Sequence, residues 1–253
     1  MMSSVTDYPF LVFILSFFVL SLATWAGTLV RKRRHHDPEV REDSGVILGA
    51  ALTLLGLLIG FSFSMAISRY DQRKGLEAAE ANAIGTEYVR ADLLPAADAA
   101  KVRALLRSYL DQRMQFYSTR DADETRLING RTAQLQSELW TAVLAPAAAR
   151  PTPIVALAVA GMNDVLNSQA YAQAAWWNRI PLAAWVLMTA MAICCSLLGG
   201  YRVRDPSAEG PLLAVLPFVV SLSFLFIADI DSPRGGVILV QPQNLQSLAD
   251  SVR

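Results

Sequence analysis

Few side chains in this sequence are spaced for catalysis or metal binding. His35 and His36 are adjacent, whereas two metal ligands on one helical face stand three or four residues apart. Cys194 and Cys195 are also adjacent, within an apolar run, and we expect them to be small packing residues rather than a redox or metal pair. The sequence has no glycine-rich phosphate loop and no Gly-x-Ser-x-Gly or Ser-x-x-Lys nucleophile motif. We therefore predict no enzymatic activity and no cofactor.

Two carboxylates, Asp229 and Asp231, directly follow an apolar run and precede a Pro-Gly turn. Together with backbone carbonyls they are a candidate metal site for a hard cation, although Ca²⁺ takes six or more oxygen ligands. The sequence favours the alternative that they cap the following turn or pair with Arg234 or a lysine.

The uncharged residues 46–68 carry two neighbouring rows of side chains at four-residue spacing. We call them the neck row (Thr53, Leu57 and Phe61, preceded by Gly45 and Gly49) and the glycine-serine row (Gly56, Gly60, Ser64 and Ser68). Small residues let helices approach closely in lipid, so both rows could be packing surfaces. Alternatively, the glycine-serine row packs on a neighbouring helix and the neck row lines an axis shared by several subunits, where apolar rings gate ions by dewetting.

Three basic residues, Arg69, Arg73 and Lys74, follow these rows within two helical turns. In the second interpretation they ring the mouth of a pore. As isolated charges they are equally well explained as interfacial anchors.

The composition indicates what positions these residues. With 53% apolar and 17% charged residues, the chain is outside the range of ordinary soluble domains. Four runs lack charge and histidine, and each reaches the roughly 20 helical residues that cross a bilayer; they are residues 8–30, 46–68, 180–200 and 211–228. The sequence thus predicts an all-α integral membrane protein with four transmembrane helices.

Between the second and third runs, the pattern predicts a helical extramembrane domain. Breaks at Pro95, near Asp121 and around Pro151 separate amphipathic helices, the last of which would turn Ile154 and Leu157 inward. Asp121 is expected to cap the middle helix. The predicted organisation is residues 1–68 as spans one and two with a charged loop at 31–45, 69–179 as the helical domain, 180–230 as spans three and four, and 231–253 as a tail with one short strand at 237–240 and a last helical turn or two from Gln243 to Val252.

The net charge of zero, without a basic stretch interleaved with aromatics, gives no indication of nucleic-acid binding. The expected partners are membrane lipids, small inorganic ions and further copies of the chain.

Two motifs resemble the bestrophin channels, and more closely the bacterial bestrophin-like membrane proteins of undefined function. Residues 60–74, GFSFSMAISRYDQRK, are similar to the stretch where the family's pore-lining second helix leaves the membrane. Residues 229–235, DIDSPRG, resemble the acidic run that follows the last span, although Ser232 and Arg234 depart from it. The resemblance implies a homopentamer with a pore lined by span two, whose neck is formed by Thr53, Leu57 and Phe61.

The resemblance also implies a bacterial inner membrane location with the helical domain in the cytoplasm. The five basic residues at 31–45 favour the reverse orientation by the positive-inside rule, but seven basic residues in the short flanks on one side against six on the other leave the two nearly balanced. The competing hypothesis is a non-conducting membrane scaffold or sensor whose helical domain docks a partner; such a protein would bury Leu57 and Phe61 within one subunit.

Overall fold

The computed structural model of the chain is all-helical over the residues that it describes, 5–33, 38–203 and 210–253, with side chains described for 5–32, 44–203 and 213–253. His35 and His36 lie outside these residues. Short 3₁₀ turns occupy Val5–Asp7 and Ala91–Leu93. The α-helices of the described residues are α1 (Pro9–Arg33), α2 (Pro38–Arg90), α3 (Ala96–Ser118), α4 (Ala122–Ala149), α5 (Pro153–Trp177), α6 (Leu182–Arg202), α7 (Gly210–Asp231) and α8 (Gln243–Ser251).

Four stretches of the described structure are long and apolar enough to cross a membrane, which confirms the predicted number. They fall in α1, α2, the α5 and α6 region, and α7. Helix α2 has 53 residues and is therefore about 80 Å long, far more than the roughly 30 Å of a hydrocarbon core. Its uncharged part, residues 46–68, is by itself long enough to cross such a core, and the rest of α2 is polar.

The described structure divides into two compact units. The first comprises Met1–Arg69 and Arg179–Leu239, and here α1 packs against α6 and α7. The α1 and α6 backbones touch, because a Cβ on Gly200 would overlap the carbonyl oxygen of Thr24. Phe13 and Phe17 of α1 meet Phe218 of α7 edge to face, with ring centroids 6.0 and 6.5 Å apart. Small and aromatic residues thus hold this unit together.

The second unit comprises Tyr70–Asn178 and Val240–Arg253. Its core is formed by α3, α4 and α5 with α8 and the polar part of α2, and contains Leu106, Leu135, Leu139 and Met162. The carboxylate of Asp121 accepts bonds from the N–H groups of Asp123 and Glu124, both at 2.8 Å, which confirms the predicted cap of α4.

Three expectations were wrong. Residues 31–33 and 38–45 are helical, so the connection between spans one and two is shorter than the expected loop. Residues 237–240 form no strand, because the N–H groups of Val237 and Ile238 bond a side chain instead of a neighbouring strand. Ile154 and Leu157 are 59% and 50% exposed. The turn of α5 places Val155 and Ala158 inward, one residue later than the pattern indicated.

Candidate functional site

The membrane part of α2 buries one narrow stripe and leaves the opposite face open. Leu55, Ser62 and Ala66 are 2%, 4% and 0% exposed, and their spacing places them on one side of the helix. At 100° per residue, the neck row and the glycine-serine row lie about 100 to 240° around the helix from Leu55. Only 11% of the most apolar stretch of α2 is buried, compared with 44% for α7. Within one chain, α2 is therefore the least covered of the four candidate spans.

The neck row lies on this open face. Leu57 is 52% exposed and Phe61 is 60% exposed. Thr53 is exposed too, with its hydroxyl donating to the carbonyl of Gly49 one turn earlier, at 2.9 Å. Because this bond satisfies the hydroxyl within its own helix, Thr53 fits an apolar surface as well as an aqueous one.

The glycine-serine row is exposed as well. A Cβ on Gly56 or Gly60 would meet no atom within 4 Å. The row therefore does not pack on another helix of the same described chain, and packing between subunits stays a prediction.

The three basic residues that follow these rows differ in solvent exposure. Lys74 is exposed, Arg69 is partly exposed, and Arg73 is 1% exposed. Arg73 therefore points into its own unit instead of toward the solvent of a pore mouth.

Asp229 and Asp231 are both bound by protein donors. Asp229 accepts bonds from the N–H groups of Val237 and Ile238, at 2.7 and 2.9 Å, so it caps the turn after α7. Asp231 accepts bonds from the Ile180 N–H and the Arg179 guanidinium, both at 3.2 Å. The turn cap agrees with the favoured alternative, and Arg179 is one partner of Asp231.

Arg179 also bonds Asp7, at 2.5 Å, so one guanidinium joins the segment before α1 to the end of α7. No cluster of three acidic, histidine or cysteine side chains that could hold a metal occurs in the described part of the chain.

The polar part of α2 has the opposite character, since it buries charge. Arg73, Glu77, Glu80 and Glu87 are each at most 1% exposed, and with Ile84 they follow the three- and four-residue spacing of a core stripe. Carboxylates in an apolar core require donors or a proton, so each of these acids needs its own explanation.

Glu80 forms a buried ion pair with Arg113 of α3, in which the Arg113 Nε donates at 2.5 Å and both side chains are fully buried. The Tyr117 hydroxyl donates to the same carboxylate at 3.1 Å. Burial alone lowers the pKa of Arg113, but the Glu80 carboxylate outweighs it and the net pKa is raised. Burial, and next the Glu80 charge, raise the pKa of Tyr109 and Tyr117. The cluster thus joins the Glu80 carboxylate to the Arg113 guanidinium and the Tyr117 hydroxyl inside the core.

Glu77 caps α8. Its carboxylate accepts bonds from the backbone N–H groups of Asn244 and Leu245, at 2.9 and 3.0 Å, and from the Asn244 side-chain amide at 2.6 Å. A carboxylate at a helix N-terminus satisfies free N–H groups and complements the helix dipole. The C-terminal helix is therefore attached to α2 through one buried acid.

This polar stripe was not predicted from the sequence. Its signal was present, because Arg73, Glu77, Glu80, Ile84 and Glu87 recur at the spacing of an inward face, but charged residues at that spacing are normally assigned to solvent.

Comparison with known proteins shows which family and which solved structures this architecture resembles. A family model described as the bestrophin-like domain matches residues 14–245. A crystal structure of a bacterial bestrophin homologue from Klebsiella pneumoniae has a TM-score of 0.63 at 15% identity, covering 94% of this chain and 95% of that one. A variant of a bacterial bestrophin homologue from the same organism gives 0.64 at 15% identity, with 94% and 95% coverage. A crystal structure of a membrane protein variant gives 0.60 at 14% identity, with 94% and 95% coverage. The comparison with curated proteins gave no match.

The fold and the open face of α2 define a multi-pass, all-helical membrane protein with a helical domain inserted between its second and third spans. The family match over most of its length shows that the chain belongs to the bestrophin-like family. At 12 to 15% identity, the solved structures show a shared fold.

Proposed function

We propose that this chain is one subunit of a homo-oligomeric ion channel whose pore is lined by residues 46–68 of α2. The observation that supports this most directly is the open face of α2. Leu57 and Phe61 lie on this face, well inside the uncharged segment 46–68, and each is more than half exposed in one chain. Several copies of this face around a common axis would form an apolar neck, which controls ion flow by its hydration.

The two rows would then have separate roles. The neck row points to the axis, and the glycine-serine row meets the α2 of the next subunit, where Gly56 and Gly60 offer room for close helix contact. Arg69 and Lys74 would supply positive charge at the mouth. The family resemblance implies five subunits, in the bacterial inner membrane, with the helical unit in the cytoplasm.

The alternative, a non-conducting scaffold or sensor, draws support from a shallow apolar groove between α4 and α5, lined by Trp140, Val155 and Val159. A scaffold of this kind was expected to bury Leu57 and Phe61 within one subunit, and both are exposed. The channel is therefore the better supported function.

The subunit number tests the proposal first. Native mass measurement of the detergent-solubilised protein should give a closed oligomer, with five copies expected. A monomer would exclude a shared pore, since one α2 cannot enclose an aqueous path.

Phe61→Ala tests the neck in planar bilayers. Removing a ring from the narrowest apolar layer should widen it and raise single-channel current several-fold. Phe63→Ala is the matched control, because Phe63 is 38% exposed and lies about 160° around the helix from Phe61. Equal currents for wild type and Phe61→Ala would show that Phe61 does not line the pore.

A further inference from the structure

Glu87 differs from the other buried acids of α2. Its side chain is 0% exposed, and no described residue donates a hydrogen bond to either of its carboxyl oxygens. Glu77 and Glu80, on the same buried stripe, each accept bonds from protein donors. An ionised carboxylate without donors is strongly disfavoured in such a place, whereas a protonated acid is tolerated.

Helix α5 provides a slot for this acid at Gly161. A Cβ on Gly161 would overlap Oε2 of Glu87 and would lie 2.6 Å from Nη1 of Arg90. The missing side chain therefore makes the space in which the carboxyl and the guanidinium meet α5. Asp164, one turn along α5, is exposed and adds a second carboxylate to the cluster.

The charges around the slot favour the neutral acid. Burial raises the pKa of Glu87 to about 8, with Arg90 opposing and Asp164 reinforcing the shift. These two, one from α2 and one from α5, are the charged side chains that act on Glu87 in the described structure. Glu87 lies about five helical turns beyond Ser68, outside the membrane segment.

We propose that Glu87 is a proton-binding site of the second unit, neutral while α2 and α5 are in contact and ionised when that contact opens. With Glu87 neutral, the positive charge of Arg90 and the negative charge of Asp164 balance. Loss of the proton leaves one unbalanced buried negative charge facing Asp164, and opening the contact lets water solvate it. The pH would then control how firmly α5 is held on α2, whether or not the chain conducts ions.

The sign of the pH dependence follows from the two pKa values. The ordinary pKa of a glutamic acid, which applies to the unfolded chain, is 4.5, and the pKa of Glu87 in the closed contact is about 8. Its stabilising contribution is therefore complete below pH 4.5 and is lost as the pH rises to 8. Within this window, each pH unit lowers the ratio of closed to open contact by up to about tenfold.

Infrared spectroscopy of the full chain in nanodiscs tests the protonation directly. At pH 7 the wild type should show the carbonyl band of a protonated carboxylic acid that Glu87→Gln lacks, and this band should disappear at pH 10. Identical wild-type and variant spectra at pH 7 would overturn the proposal.

Substitution of the neighbouring charged residues distinguishes a proton-binding role of Glu87 from a purely structural one. Asp164→Asn should move the titration midpoint of the band down, and Arg90→Gln should move it up, because each removes a charge that acts on Glu87. Both variants keep Glu87, so they test the site even where Glu87→Gln folds poorly. A midpoint that neither variant moves would contradict the assignment.

Hydrogen exchange tests the coupling to the contact. After correction for intrinsic rates, the protection of α5 amides should fall up to about tenfold per pH unit between pH 5 and 8 in the wild type and stay level in Glu87→Gln. An equal fall in both proteins would show that Glu87 does not control the contact.

Discussion

The two parts of helix α2 invert the arrangement of an ordinary soluble helix. Within residues 46–68 the exposed face carries Leu57, Phe61 and glycines, while the buried stripe includes the small residues Ser62 and Ala66. Beyond Tyr70 the buried stripe carries Arg73 and three glutamates. Among the described residues of one chain, most of the surface of the apolar part has no packing partner. In the polar part, Glu80 is bound by α3 and Glu77 by α8, and Glu87 is expected to hold a proton.

This difference shows which interactions determine how each part of α2 packs. Lipid tails are as apolar as the neck row, so an open apolar face costs little in a membrane, and close packing decides which helices associate. In the polar part, each buried charge has to be matched, because an unmatched one is expensive. Substitutions in the polar part should therefore lower the stability of one subunit. Substitutions on the open face of the membrane part should show their effect only when subunits assemble.

Arg113→Met is expected to have the largest effect on stability. It leaves the Glu80 carboxylate buried without its counter-charge, and breaking such a pair costs about 3–5 kcal/mol. Denaturant unfolding of the solubilised protein measures the loss. Adding Glu80→Gln should restore much of it, because the double variant has no unpaired charge. A loss below about 1 kcal/mol in Arg113→Met would mean that the buried charge pair does not hold α3 on α2.

Glu77→Ala should have a smaller and more local effect. It removes the acceptor for the first N–H groups of α8, and a lost helix cap costs about 1 kcal/mol, up to about 2. Hydrogen exchange should show the amides of Gln243–Ser251 losing protection about 5- to 30-fold while α4 stays protected. Glu77→Gln keeps an acceptor oxygen and is the matched control, with a weaker loss expected. Unchanged protection in Glu77→Ala would show that Leu245 and Ala249 hold α8 without the cap.

The number of spans, the helical insert and the cap at Asp121 could be predicted from the sequence, because uncharged runs, stripes and caps are local patterns. The ion pair of Glu80 with Arg113 could not, since nothing near Glu80 in the sequence reveals that Arg113 lies against it. The turn cap at Asp229 was foreseen, but the pairing of Asp231 with Arg179 was not, because those residues are far apart along the chain. Thr53, Leu57 and Phe61 were named from their four-residue spacing together with the family resemblance, and their convergence on an axis stays a prediction that requires several subunits.

Gly60→Ala should have the smallest effect on the fold and yet a clear one on assembly. A Cβ here meets nothing within 4 Å in one chain, so the subunit should keep its stability or gain up to about 1 kcal/mol of helix propensity. Gly200→Ala is the matched comparison, because its Cβ would overlap the Thr24 carbonyl and overpacking of this kind costs about 1–3 kcal/mol.

The two substitutions should therefore change the free energy of unfolding in opposite directions. They should also differ in what they impair, which is subunit assembly for Gly60→Ala and subunit folding for Gly200→Ala. Native mass measurement of Gly60→Ala should show fewer intact oligomers from a folded subunit, because the added methyl group separates α2 helices that rely on close contact at the glycine-serine row. Gly200→Ala should instead lower the yield of folded subunits while those that fold still assemble. Full assembly of Gly60→Ala would place the glycine-serine row against lipid and leave the neck row without the helix contact that directs it to an axis.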